Sequence, residues 1–282
     1  MASLRPVSEP GEVLPYVRRG ADVDAPVTYA HGPDSVRHAD VPQGQVVQFA
    51  WTRSQVFPGT ERRFFVHVPA QYSPERPAAA MVFQDGSLYL DPAGQMRAGI
   101  VFDNLIHQRE MPVTLGVFVD PGQPGNRNVE YDATSEDYAT FLLTEVLPVV
   151  QERYHLSDDP DRWAVAGGSS GGNCAFTAAW NRPDRFRKVL SFVGSFAQIP
   201  GGNPYPDLIA RSPRRPLRVF LQAASRDLNH DQPERNWFSN NLRVAAALAE
   251  RGYDHRLVVG DGGHSPNHGG AVLPDALRWL WR

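Results

Sequence analysis

Between residues 163 and 172 the chain reads Trp-Ala-Val-Ala-Gly-Gly-Ser-Ser-Gly-Gly, an apolar strand that enters a helix through four glycines and two serines. A serine in such a turn is held in a strained backbone conformation, and glycines on either side let the strand and helix approach closely. This strand-turn-helix step commits the fold to strands that alternate with helices, and the rest of the chain agrees. Apolar strand candidates fall at 79–83, 114–119, 163–166, 189–193, 219–222 and 256–259, with helical stretches at 100–108, 135–154, 170–181, 236–251 and 271–281. Alternation of this kind predicts a mostly parallel central sheet with helices on both faces. Two earlier strands, at 45–51 and 62–68, are joined by a turn at Pro58-Gly59 and add an antiparallel N-terminal pair. The helix at 135–154 places Tyr138, Phe141, Leu142 and Val149 on one face, and Thr134 and Asp137 are spaced like a capping box. Pro148 should kink or break it.

The chain divides unevenly. Residues 1–44 are punctuated by Pro and Gly without sustained periodicity and read as an irregular arm, either a tail or a segment that packs or forms a homodimer. Residues 45–282 then form one α/β catalytic domain, and no internal repeat is visible. A chain of 282 residues buries roughly 70–75% of its unfolded surface, ample for a large core. One cysteine, Cys174, excludes an internal disulfide framework and a cysteine zinc site, and its place in a helix suits a small buried residue. The N-terminus shows no apolar signal region and no apolar run spans a bilayer, so a cytoplasmic protein without membrane contact is expected. The 28 basic and 31 acidic residues are well mixed, without the basic stripe of a nucleic-acid binder.

Two registers of G-x-S-x-G fit the glycine turn, centred on Ser169 or Ser170. Ser169 is preferred, because two glycines then follow the turn and the Ser170 N–H points at a developing oxyanion. A serine needs a base to take its proton. Chains with this elbow place the acid and then the histidine after it, the histidine on a loop after the last strand. Gly262-Gly263-His264 meets that description, with His268 as the runner-up. The acid belongs after the preceding strand, where Asp227 stands and Asp231 competes. The second oxyanion donor belongs to the turn after an early strand, Gln84-Asp85-Gly86-Ser87, where Gly86 permits the sharp turn and the Ser87 N–H is the candidate. A metal site assembled from His230, Asp231, Asp261, His264 and His268 is the competing chemistry. Pro266 and the nearby glycines keep His264 and His268 off a shared helical face, which argues against it. Two long Pro- and Gly-rich loops, 120–128 and 196–216, follow strands and could shape the crevice at the strands' carboxyl ends.

Four phrases together carry a resemblance: Val82-Phe-Gln-Asp-Gly86, Asn126-Arg127-x-x-Glu130-Tyr131, Ala166-Gly-Gly-Ser-Ser-Gly-Gly172 and Gly262-Gly-His264. They resemble the enterochelin (ferric enterobactin) esterase-like family, a group similar to esterase D, microbial feruloyl esterases and mycolyltransferases. The resemblance covers about residues 45–282 and implies an α/β-hydrolase fold, no cofactor and a Ser–Asp–His mechanism. It puts the nucleophile on Ser169, the acid on Asp227, the base on His264 and the oxyanion donors on Ser87 and Ser170. Some relatives work with a serine–histidine dyad, so the resemblance alone does not require Asp227. Siderophore esterases of this type also carry an additional N-terminal domain, and a 44-residue arm is too short to be one.

The expectation is therefore a serine esterase acting on a small-molecule ester or lactone: a siderophore, an acylated sugar or an aryl ester. Gln84, Asp85, Arg127 and His268 are candidate substrate contacts, although Arg127 and Glu130 could instead form an ion pair that buttresses their loop. Arg211, Arg214 and Arg215 could receive an anionic substrate or simply face solvent. An acyltransferase on the same scaffold, or a silent binding protein of the same fold, are the alternatives.

Overall fold

The computed structural model describes residues 27–282. Its strands are β1 (Gln45–Trp51), β2 (Arg62–Val68), β3 (Ala79–Gln84), β4 (Thr114–Val119), β5 (Trp163–Gly168), β6 (Lys188–Phe192), β7 (Arg218–Ala224) and β8 (Asp254–Gly260). The helices are α1 (Gly86–Leu90), α2 (Ala98–His107), α3 (Arg127–Tyr131), α4 (Asp137–Phe141), α5 (Leu147–Gln151), α6 (Ser170–Asn181), α7 (Tyr205–Arg211), α8 (Trp237–Glu250) and α9 (Pro266–Trp281). The eight strands form one sheet in the order β1-β2-β4-β3-β5-β6-β7-β8. β1 pairs antiparallel with β2, and β2 antiparallel with β4. Every later pair is parallel. This is the mostly parallel α/β sheet with antiparallel N-terminal strands that the alternation predicts.

Side-chain alternation along the buried strands builds two cores. Ala80 and Val82 of β3, Val165 of β5 and Val219 and Leu221 of β7 face one layer, which holds α4, α5, α6 and α8. Met81, Phe83, Ala164, Ala166 and Phe220 face the other, where α2 and α9 pack. β3, β4 and β5 read as continuous apolar runs because both of their faces are covered. The chain moves from β3 outward to β4 and then back across to β5, so the crevice of the fold opens at the carboxyl ends of β3 and β5.

Three local expectations change. The helix at 135–154 is broken into α4, a π-helical turn at Leu142–Val146, and α5. Pro148 has no N–H to donate, and the wider turn immediately before it absorbs the interruption. Thr134 does not cap this helix; Ser135 receives the Asp137 N–H at the limit of hydrogen bonding, 3.5 Å. The last helix begins at Pro266 rather than 271, with Ser265 as N-cap accepting the Asn267 N–H at 3.2 Å. Residues 27–44 lie irregularly across α2 and α9. Asn104 donates to the carbonyls of Asp34 and Val36, and Arg278 pairs with Asp34 at 2.7 Å. Among the described residues no helix is long and apolar enough to cross a membrane.

Candidate active site

Ser169 occupies the sharp corner between β5 and α6 with φ 58° and ψ −128°, a conformation that non-glycine residues seldom adopt. The corner survives because the chain closes tightly around it. A Cβ on Gly167 would lie 2.3 Å from the backbone of Gly171, so only glycine fits there. The Ser169 N–H donates to Phe192 C=O at 2.9 Å, and its own C=O accepts from Gly172 at 2.9 Å. The hydroxyl is thereby lifted out at the carboxyl edge of the sheet.

His264 Nε2 stands 3.0 Å from Ser169 Oγ, and His264 Nδ1 stands 2.6 Å from Asp227 Oδ1. The Asp227 side chain is fully buried and also accepts the Leu228 N–H at 2.8 Å. A carboxylate only accepts, so the Nδ1–H points to Asp227 and the Nε2 lone pair faces the serine. Trp237 meets the imidazole edge-on, its ring centroid 4.7 Å away. Ser170, by contrast, is buried and donates its hydroxyl to Asp132 at 3.2 Å. Asp231 is exposed and outside this chain of bonds. His268 is elsewhere too: its Nδ1 accepts from Gln222 Nε2 at 3.0 Å and its ring stacks on Tyr29. Burial holds its imidazole below the ordinary histidine value, with Asp261 opposing the shift.

Ser169 and His264 open into a cleft of about 440 Å³ lined by Leu88, Tyr89, Met96, Phe192, Val193 and Pro266 among others. Of the expected substrate contacts, Asp85 and Arg127 line this cleft, whereas Gln84 and His268 do not. Gln84 is fully buried at the end of β3. Asp85, rather than Gly86, takes the left-handed turn conformation, with φ 56°. Gly86 is needed for a different reason, since a Cβ there would sit 2.2 Å from the Phe118 backbone. The Ser87 N–H, expected to face the oxyanion, donates to Asp120 Oδ1 at 2.8 Å, because the aspartate at the end of the neighbouring strand β4 reaches it first.

The Arg127–Glu130 ion pair of the sequence reading is replaced by two separate pairs. Arg127 grips Asp85 through two 2.7 Å hydrogen bonds, which hold its guanidinium even more firmly protonated. Glu130 is buried against Arg62 at 2.6 and 2.9 Å and also accepts from Asn126 at 2.8 Å. The Tyr131 hydroxyl accepts the Asp85 N–H at 3.2 Å, and burial pushes this phenol well above its ordinary value. Arg127 and Tyr131 thus tie the loop after β4 to the turn after β3, Glu130 ties it to β2, and Asn126 supports Glu130 from within the loop. Loop 196–216 contributes nothing to the cleft lining, and neither do Arg211, Arg214 and Arg215. Arg215 lies over the Trp180 ring instead. Cys174 is buried, which pushes its thiol well above the ordinary value and leaves it inert.

Three participants were not legible in the sequence: Ser195, whose Oγ is 3.2 Å from Ser169 Oγ, together with Trp237 and Asp120. Only Asp120 had a signal, as the first residue of a loop that follows a strand.

A family model described as "Putative esterase" matches residues 54–280. The chain belongs to that family. Among curated relatives, the iron(III) enterobactin esterase of Escherichia coli K12 is 34% identical over 122 residues, covering 43% of this chain and 29% of that protein. The chain therefore spans well under half the length of that relative. Among solved structures, the ferric enterobactin esterase of Salmonella typhimurium superposes with a TM-score of 0.73 at 25% identity, over 92% of this chain and 62% of that one. A ferulic acid esterase from Anaeromyces mucronatus shares the fold, with a TM-score of 0.70 at 15% identity over 91% and 98% of the two chains. This is an esterase-family protein of α/β-hydrolase fold, similar in sequence to enterobactin esterases and sharing its fold with a ferulic acid esterase.

Proposed function

We propose that the protein is a serine carboxylic-ester hydrolase that works through an acyl-enzyme. The observation that carries this reading is the unbroken chain of hydrogen bonds Asp227–His264–Ser169 at the mouth of an apolar cleft. Ser169 Oγ attacks the ester carbonyl while its proton passes to His264 Nε2. Asp227 keeps the ring in the tautomer that accepts this proton and stabilises the imidazolium that results. The alcohol then leaves with the proton. Water enters, gives a proton to His264 and displaces the acyl group from Ser169, which recovers the proton.

The oxyanion falls to the Ser170 N–H, the first amide of α6, which has no helical carbonyl one turn earlier to bond. The Ser87 N–H joins it only by giving up its bond to Asp120. The apolar lining of the cleft suits an aryl or other apolar half of the substrate. Beyond Asp85, Ser87 and Leu88 lies a second basin of about 460 Å³, lined by Thr52, Glu61, Arg63, Asp120 and Gln123. Its mixture of acidic and basic groups suits a hydroxyl-rich or zwitterionic half rather than a strongly anionic one. The substrate class favoured is an ester that joins an aryl or apolar acyl group to a polar alcohol such as a sugar.

Fluorophosphonate labelling followed by peptide mapping tests the reading. A single adduct on Ser169, lost in Ser169→Ala and His264→Ala, is expected, together with release of free acid from aryl esters. Transfer of the acyl group to an added alcohol in preference to water would turn the reading to acyl transfer. A folded wild-type protein that forms no adduct would overturn it.

A further inference from the structure

We propose that the Ser195 hydroxyl is a catalytic donor to the Ser169 oxygen and that it acts chiefly on release of the acyl group. The inference rests on the serine-esterase reading and goes beyond the three groups named there. Ser195 stands just after β6, fully buried, at the head of the short 3-10 turn Phe196–Gln198. Serine in that position commonly caps the turn with its hydroxyl, but this one makes no cap bond. Its Oγ lies instead 3.2 Å from Ser169 Oγ, and its N–H donates to the Ser169 C=O at 3.1 Å. The preceding carbonyl, that of Gly194, accepts from the buried Asn241 side chain at 2.8 Å, which fixes the segment against α8. Ser195 therefore holds both the backbone and the side chain of the nucleophile.

Proton accounting sets the direction of the bond between the hydroxyls. Asp227 takes the Nδ1–H of His264, so Nε2 is an acceptor and the single Ser169 proton goes to it. Ser169 Oγ has only lone pairs left, and the proton between the two serines belongs to Ser195. This donation is present in the free enzyme. It weakens in the acyl-enzyme, where Oγ has become the poorly accepting bridging oxygen of an ester. It strengthens again as the bond between Oγ and the acyl carbon breaks and charge returns to Oγ, which then takes its proton from His264. Ser195 keeps its own proton throughout.

Only interactions stronger in the transition state than in the preceding ground state accelerate a step. For acylation the ground state already contains the bond, so little is gained. For deacylation the ground state lacks its full strength and the transition state regains it. Ser195 thus disfavours a lingering acyl-enzyme.

The experiment compares wild type, Ser195→Ala and Ser195→Cys with 4-nitrophenyl butyrate, by stopped flow and by intact-mass measurement of the acylated fraction at steady state. Loss of one hydrogen bond of ordinary strength predicts that deacylation slows about five- to ten-fold in Ser195→Ala while acylation changes less than about two-fold. The acylated fraction then rises and kcat falls more than kcat/KM. Ser195→Cys, with a weaker donor of similar shape, should fall between the two and provides the answer if the alanine variant is poorly folded. Equal slowing of both steps would reduce Ser195 to a positioning residue, and unchanged rates would remove its role; either result overturns the proposal. A wild-type protein that never acylates at Ser169 would instead overturn the esterase reading beneath it.

Discussion

The serine and histidine halves of the site are built in opposite ways. Ser169 sits where β5 runs directly into α6, and its bonds are made largely by the chain immediately around it and by the adjoining β6. His264 sits on a loop after β8 that distant segments hold. Tyr29 is the clearest of these, with its hydroxyl accepting the Asp261 N–H at 2.6 Å and donating to the Asp261 C=O at 3.2 Å. The Tyr29 backbone makes a reciprocal pair of bonds with the Asn267 side chain, at 2.6 and 3.0 Å. Its ring stacks on His268 with centroids 4.2 Å apart. One half is therefore fixed by the core and the other by a strap. Damage to the first should cost the fold, whereas damage to the second should cost activity and local order.

The sharpest break is chemical. Ser169→Ala should remove about four to six orders of magnitude of kcat without lowering Tm, measured with an aryl ester and by thermal melting. Asp227→Asn keeps the shape but favours the wrong imidazole tautomer, and a fall of about 10³–10⁴ in kcat is expected in a folded protein. The contrast between the halves is then tested by structure rather than chemistry. Gly167→Ala forces a Cβ against the Gly171 backbone and should destabilise the whole domain by about 2–3 kcal/mol or more in urea unfolding. Tyr29→Phe keeps the ring on His268 but removes both hydroxyl bonds, and should cost only about 1 kcal/mol. Hydrogen exchange should speed up around Asp261 and leave α6 unchanged; matching changes in both regions would erase the distinction.

The smallest effect is on pH. His268 is held neutral in the fold below its ordinary value of 6.5. As pH falls through 6.5 the unfolded chain takes up this proton before the folded protein does, so the contribution present above 6.5 is lost in the window just below it. Wild-type Tm should therefore slope downward from pH 7 to 5, and His268→Gln should flatten that slope.

This asymmetry also accounts for what the sequence revealed. The elbow could be read because its strand, glycines and helix are contiguous, and Asp227 and His264 were candidates because each follows one of the last two strands, in the serine–acid–histidine order of chains with such an elbow. The strap could not, because Tyr29 and Asp261 are 232 residues apart and neither carries a periodic or compositional mark. The same holds for Ser195, 26 residues beyond Ser169, and for Arg62, 68 residues before Glu130. The Asn126–Tyr131 motif was visible as letters, but its pairing depended on which strands became neighbours. The late start assigned to the last helix is different, since Ser265-Pro266 is a readable cap and first position. Gly269 and Gly270 lie within that helix, and close packing requires glycine at 270, since a Cβ there would strike the Gln95 carbonyl oxygen.

The strap has a practical consequence for where this protein is cut. The family model's match begins at residue 54, and Tyr29 lies well upstream of it. A fragment trimmed to the family boundary would keep Ser169, Asp227 and His264 yet lose the side chain that clasps the histidine loop. The working unit of the molecule is thus larger than the stretch its family model matches, with an edge at a residue outside that stretch.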